Sequence, residues 1–185
     1  MKSNIMTVSM AVFLISGCAL SSDSQTQRNG EGGGNMNMQE AADRADAILD
    51  ETFLGIKPSV QWVHGESTEG SCDVSRRRAV ITMISEKRRG SFLGVVEREW
   101  EGAGYHRIGV NANLVSPATY FETPDGFRVR LLIGGGGQAF FEVATPCVDE
   151  SPVSMPAPQP GGADHVGEPV PIPNVHSDFW STGAS

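Results

Sequence analysis

Thr123-Pro124-Asp125-Gly126-Phe127-Arg128-Val129-Arg130-Leu131-Leu132-Ile133 reads as a tight turn that feeds a strand. Proline presets φ early in the turn and glycine supplies the φ > 0 that closes it. From Phe127 onward, Val129, Leu131 and Ile133 alternate with Arg128 and Arg130, the period of a half-buried strand. Ala118-Thr119-Tyr120-Phe121-Glu122 supplies the first arm of this hairpin. Downstream, Gly134-Gly135-Gly136-Gly137 reverses the chain into Ala139–Ala144. Four glycines invite a phosphate-loop reading, but no Lys-Ser/Thr follows and no helix opens, so the run is a hairpin loop. Upstream, Tyr105–Ala112 forms a further strand with His106, Ile108, Val110 and Ala112 on one face, joined onward by residues 113–117.

Toward the N-terminus the period changes. Asn37-Met38-Gln39-Glu40 has the form of a capping box. Met38, Ala41, Ala45, Ile48, Leu49, Thr52 and Phe53 then recur at helical spacing, with Asp43, Asp46 and Asp50 opposite as a solvated stripe. This helix ends near Gly55, before Pro58. Residues 59–63 read as a strand, followed by a polar loop from His64 to Gly70. Within that loop Gly65-Glu66-Ser67-Thr68-Glu69 lacks the last glycine of a nucleophile elbow. Residues 77–85 read as a second strand, Glu86–Gly90 as a turn, and Ser91 as the cap of a second helix carrying Leu93, Val96, Trp100 and Ala103 on one face. Glu97 and Glu101 sit four apart on it, on a solvated face. The expected fold is α+β: an antiparallel sheet of about five to six strands with two helices packed on one face, in the order α-β-β-α-β-β-β-β.

The ends differ in composition. Residues 150–185 hold seven of the 11 prolines, including Pro156, Pro158, Pro160, Pro169, Pro171 and Pro173. Such a segment favours extended polyproline conformations and is expected to stay unpacked, a wall-spanning tail rather than a groove ligand anchored by Phe179 and Trp180. His165 and His176, near Asp164 and Asp178, have nothing to fix a metal geometry. At the other end, Lys2 precedes an apolar run of roughly 10 residues, well below the ~20 needed to span a bilayer, and Leu14-Ile15-Ser16-Gly17-Cys18 closes it. That pattern is a secretory signal peptide over residues 1–17. Residues 18–36, rich in Ser, Gly and Asn, form a tether with an r.m.s. span of about 23 Å.

Ile15-Ser16-Gly17-Cys18 resembles the lipobox of bacterial lipoproteins. The resemblance implies removal of the first 17 residues, a covalent diacylglycerol on Cys18 and an address on the outer face of the bacterial cell membrane. With Cys18 so used, Cys72 and Cys147 remain. In an exported protein they most simply form one disulfide, worth about 4 kcal/mol by chain entropy. Two thiols with no neighbouring histidine make a poor zinc site, and neither lies in a Cys-x-x-Cys motif. The domain over residues 37–149 carries Arg-Arg-Arg before a strand, Arg-Arg-Gly-Ser-Phe-Leu-Gly-Val-Val-Glu-Arg, Thr-Pro-Asp-Gly-Phe and Gln-Ala-Phe-Phe-Glu-Val-Ala-Thr-Pro-Cys. In these it is similar to small actinobacterial surface lipoproteins, a resemblance that implies no catalytic residues.

Net charge is −8, yet six of the 14 basic residues fall between Arg76 and Arg89. Arg76, Arg77 and Arg78 enter the expected second strand while Lys87, Arg88 and Arg89 leave it, which would set two basic clusters at opposite ends of the sheet. Either they neutralise nearby acids such as Asp73 and Glu86, or they meet phospholipid heads or anionic envelope polymers. The acidic balance and the extracellular address argue against nucleic acid as a partner. The favoured reading is a lipid-anchored, non-enzymatic binding module, with the membrane, an anionic envelope polymer or another envelope protein as partner. No catalytic residue, metal site or cofactor other than the Cys18 lipid is assigned. An enzyme assembled from His64, His106 and Glu97, or an accessory subunit docking by a sheet edge or its tail, are the alternatives.

Overall fold

The capping box closes as its residues require. The Asn37 side chain accepts from the Glu40 N–H at 3.0 Å, and Glu40 Oε2 accepts from the Asn37 N–H at 3.0 Å. Helix α1 runs from there over Met38–Gly55. A computed structural model describes residues 36–134, 136–158 and 169–183, all within the unit Gly34–Ser185. The leader, Cys18, the tether to residue 35, His165 and Asp164 lie outside the described residues.

After α1 come β1 (Trp62–His64), β2 (Thr68–Glu69), β3 (Val74–Val80), α2 (Glu86–Gly102), β4 (His106–Asn111), β5 (Ala118–Glu122), β6 (Arg128–Ile133) and β7 (Ala139–Ala144). The fold is α+β, and the order is as expected apart from the two-residue β2 inside the predicted loop. The strands form one antiparallel sheet in the order β1-β3-β7-β6-β5-β4, with β2 also paired to β3. The hairpin that decides the fold is built as read. Gly126 adopts φ 85°, its N–H donates to the Thr123 carbonyl at 2.9 Å, and Thr123 Oγ1 accepts from the Phe127 N–H at 2.9 Å. Gly137 adopts φ 80° in the second loop, and a Cβ there would stand 2.4 Å from the Ile84 carbonyl oxygen, so only glycine fits.

The core lies between the sheet and the helices. Phe121, Val129, Leu131, Ile133, Phe141 and Val143 from the strands meet Ile48, Leu49 and Phe53 of α1 and Phe92, Val96 and Trp100 of α2. Trp100 Nε1 donates to Thr52 Oγ1 at 2.9 Å, joining the two helices inside the core. Cys72 and Cys147 are disulfide-bonded, with Cα atoms 4.8 Å apart. The bridge continues the β3–β7 register, in which Ser75 stands opposite Ala144.

Three expectations change. Strand β3 starts at Val74 and ends at Val80, so Arg76, Arg77 and Arg78 lie along it and not at its entry. Helix α2 begins at Glu86, which places Lys87, Arg88 and Arg89 in its first turns instead of a connecting turn. Glu, Lys and Arg are good helix formers, and packing overrides the ~1 kcal/mol cost of Gly90 in the helix. Nor is the C-terminal segment unpacked where it is described. The Val175 carbonyl accepts from the Met83 N–H at 2.9 Å, the Trp180 carbonyl from the Ser85 N–H at 2.9 Å, and the Trp180 ring is fully buried. Residues 150–158 also lie against the domain, for the Ser154 N–H donates to Gln39 Oε1 at 2.7 Å. Proline keeps these segments out of helix and ladder, but their carbonyls and aromatic rings still find partners.

Candidate functional site

Strand alternation divides the arginine triplet. Val74, Arg76, Arg78 and Val80 face the helix layer, while Arg77 points to the opposite face. Two guanidiniums therefore occupy positions where a strand backing a helix normally carries apolar side chains, and they are only 2% and 3% exposed. A buried charge needs a partner. The acidic stripe of α1 provides it: Arg76 Nε lies 3.2 Å from Asp46 Oδ2, and Arg78 Nη2 donates to Asp50 Oδ1 at 2.8 Å. Arg76 also donates from Nη1 to Ser67 Oγ at 2.9 Å and from Nη2 to the Ser154 carbonyl at 2.6 Å. Two of the three acids in the stripe expected to be solvated are thus engaged.

Edge strand β1 completes the surroundings. The Arg78 guanidinium lies 3.9 Å from the Trp62 ring centroid, and His64 meets Trp62 edge-on at 5.1 Å. His64 stands opposite Arg78 in the β1–β3 register. Together with Asp43 and residues 155–158 these side chains line a cleft of about 320 Å³. Several buried polar atoms of the cleft have no hydrogen-bond partner: His64 Nε2, Arg78 Nε and Nη1, and Asp46 Oδ1.

Burial raises the Asp46 carboxyl above its ordinary value, against the pull of Arg76 and Arg78. Burial first, and the Arg78 charge second, lower His64 below 6.5, partly offset by a bond to the Ala157 backbone. The ring is therefore neutral at neutral pH. A depressed folded-state histidine contributes stability that is present above the unfolded pKa and is lost as pH falls below it. The chain should thus lose stability as pH drops from about 6.5 toward the folded-state value of His64. His64→Gln should flatten that part of the profile of urea midpoint against pH; an unchanged slope would refute it.

The other candidate residues disperse. On the opposite face Arg130 Nη2 donates to Glu142 Oε2 at 2.8 Å, and Arg77 shares the same carboxylate. In α2, Arg88 covers the Phe179 ring at 4.2 Å and Lys87 is exposed. The picture of two basic clusters at opposite ends of a strand is therefore corrected: Arg76 and Arg78 are interior, and the acids that answer the triplet are Asp46, Asp50 and Glu142, not Asp73. Glu97 and Glu101 are both held by Arg107 Nη2, at 3.2 and 2.8 Å. His64 on β1 and His106 on β4 lie at opposite edges of the sheet, so His64, His106 and Glu97 are not brought together. Edge strand β4 and the following loop expose Ile108, Val110, Leu114 and Val115, and a bulge between Arg107 and Gly109 breaks the expected alternation.

Sequence reasoning named Arg76, Arg78 and His64 but missed Trp62, Asp46, Asp50 and Ala157 as their companions. The available signal was complementarity: arginines two apart in a strand, and aspartates at helical spacing that could face them. Comparison of the chain with protein-family models, with curated proteins and with solved structures finds no match. The disulfide fits an oxidising, extracytoplasmic compartment. Among the described residues no helix is long and apolar enough to cross a membrane, and no group of three or more His, Cys, Asp or Glu side chains could hold a metal ion.

Proposed function

We propose that this chain is a lipid-anchored, extracytoplasmic binding module whose ligand site is the cleft between α1, β1, β3 and residues 155–158. The observation that carries this reading is the buried Arg76–Asp46 and Arg78–Asp50 arrangement, which leaves unpartnered polar atoms of His64, Arg78 and Asp46 at one cleft. A buried ion pair is poor evidence of stability alone, since apolar residues of similar volume often serve as well. Convergent polar groups in a concave site are the usual mark of recognition.

A library of small polar compounds tests the site by thermal unfolding. Compounds that bind should raise the melting temperature of the wild-type chain and leave a His64→Phe variant unmoved, because a ligand stabilises the state it binds. Equal shifts in both proteins would remove the cleft from the proposal.

The anchor rests on Ile15-Ser16-Gly17-Cys18. Cys18→Ser should abolish lipid labelling and move the protein out of the detergent phase, or leave its leader uncleaved. Unchanged lipid labelling of the variant would refute attachment at Cys18.

A further inference from the structure

A second cavity, of about 480 Å³, lies on the opposite face of the sheet from the cleft, and its case is independent of the cleft's. Two adjacent cross-strand rows border it. In one, Arg77 stands opposite Glu142 and Glu142 opposite Arg130. In the other, two residues along, Ala79 stands opposite Phe140. A strand rises roughly 3.3 Å per residue, so a charged row and an apolar row lie about 7 Å apart on one face. Residues 65–68 form one wall, tied in where the Gly65 N–H donates to the Arg77 carbonyl at 2.9 Å. Val170 is in the other, on the C-terminal segment that Gln138 Nε2 holds by donating to the Pro171 carbonyl at 2.8 Å.

Unlike Arg76 and Arg78, the two outward arginines are open to a ligand: the Arg77 and Arg130 side chains are 32% and 40% exposed. Both donate to the same oxygen, Glu142 Oε2, and therefore stand side by side. A guanidinium has five N–H groups. Arg77 spends Nε on Glu142 and one Nη1 proton on the Glu66 carbonyl at 2.9 Å, and Arg130 spends one Nη2 proton on Glu142, leaving most of their donors for a ligand. Two cations thus answer one carboxylate in this row. Arg78 also borders the cavity but spends its charge on Asp50, on the helix side of the sheet. A surplus of one positive charge suits a monoanion, whereas a dianion would be repelled by Glu142 and by the exposed carboxylate of Glu66. Arginine's planar fork matches a carboxylate. Phe140 and Val170, both half-buried, offer apolar surface beside it. The volume falls within the roughly 300–1,000 Å³ of ligand sites.

We infer that this cavity binds a small amphipathic carboxylate, its carboxylate group between Arg77 and Arg130 and its apolar body against Phe140 and Val170.

Isothermal titration of the full chain in a non-ionic detergent, with the heat of dilution into protein-free detergent subtracted, tests this with five probes: 3-phenylpropionate, hexanoate, acetate, 3-phenylpropanol and phenyl phosphate. At least one of the first two should bind saturably, with one site per chain. It should bind about tenfold or more tighter than acetate, which lacks the apolar body, and than 3-phenylpropanol, which lacks the charge. The better of the two tells whether the natural body is a flat ring or an alkyl chain. Arg130→Gln should weaken that probe about tenfold or more, while Glu142 keeps Arg77 as its partner. Should the variant fail to fold, chemical-shift mapping on the isotopically labelled wild-type chain decides: 3-phenylpropionate should shift Phe140 and Val170. Shifts confined to Trp62 and His64 would overturn the inference and favour the cleft instead. Tighter binding of phenyl phosphate overturns the carboxylate class. Equal binding of 3-phenylpropanol, an unchanged affinity in Arg130→Gln, or no saturable binding up to tens of millimolar overturns the site, and each leaves the reading of the cleft untouched.

Discussion

Replacing Cys72 and Cys147 together by alanine is expected to destabilise the domain by about 4 kcal/mol. The two residues are 75 apart in sequence, so the bridge closes a loop that contains α2 and the five strands from β3 to β7, and its removal frees that long segment in the unfolded chain. The loss falls chiefly on the unfolded ensemble, because the ladder around the bridge has its own bonds: the Val148 N–H donates to the Cys72 carbonyl at 2.8 Å, and the Thr145 N–H to the Val74 carbonyl at 2.9 Å. Urea unfolding of the double variant should therefore show a lower midpoint, and reduction of the wild-type chain should reproduce it. A change below about 1 kcal/mol would mean that the unfolded chain is already restricted in this region.

Trp180→Ala should cost about 3–5 kcal/mol, the range for loss of a large core aromatic. Its ring is wholly buried, meets Phe92 edge-on at 5.1 Å, and donates from Nε1 to the Pro58 carbonyl at 2.6 Å. The backbone around it also sets the start of α2, since the Trp180 carbonyl accepts from the Ser85 N–H and Ser85 Oγ donates to the Thr182 carbonyl at 2.8 Å. Amide exchange at Met83 and Ser85 should speed up in the variant. Its neighbour is the control: Phe179 is 38% exposed and packs chiefly under Arg88, so Phe179→Ala should cost about 1 kcal/mol or less. Equal effects at the two positions would contradict the assignment of the C-terminal segment to the core.

The contrast between those two aromatics shows where the sequence was readable. The Pro124-Asp125-Gly126 turn, the alternation from Phe127 to Ile133 and the Asn37–Glu40 box are local devices, each complete within a few residues, and each formed as read. The start of α2 and the packing of Trp180 depend on one another across almost a hundred residues, and no local period records such a contact. Composition misled as well, because proline excludes regular structure without excluding side-on packing, as at Ser154 and Val175.

The site was half legible for the same reason. A run of arginines reads as surface charge, and only the strand register shows that Arg76 and Arg78 turn inward while Arg77 turns out. The acidic stripe of α1 reads as solvated until β3 is laid beneath it. Knowing the register first would have paired the two patterns. The Ala157 contact with His64 lay beyond any pattern, since it comes from a segment expected to stay unpacked.

The most direct test of the central claim is chemical-shift mapping on the isotopically labelled full chain during titration with a library of small polar fragments. If the cleft is the ligand site, the shifts of binding fragments converge on Trp62, His64, Arg78 and Ala157, with the His64 ring resonances moving at saturation. Fragments that instead shift residues along β4 and its loop, around Ile108 and Leu114, and leave the His64 ring unmoved would contradict the account.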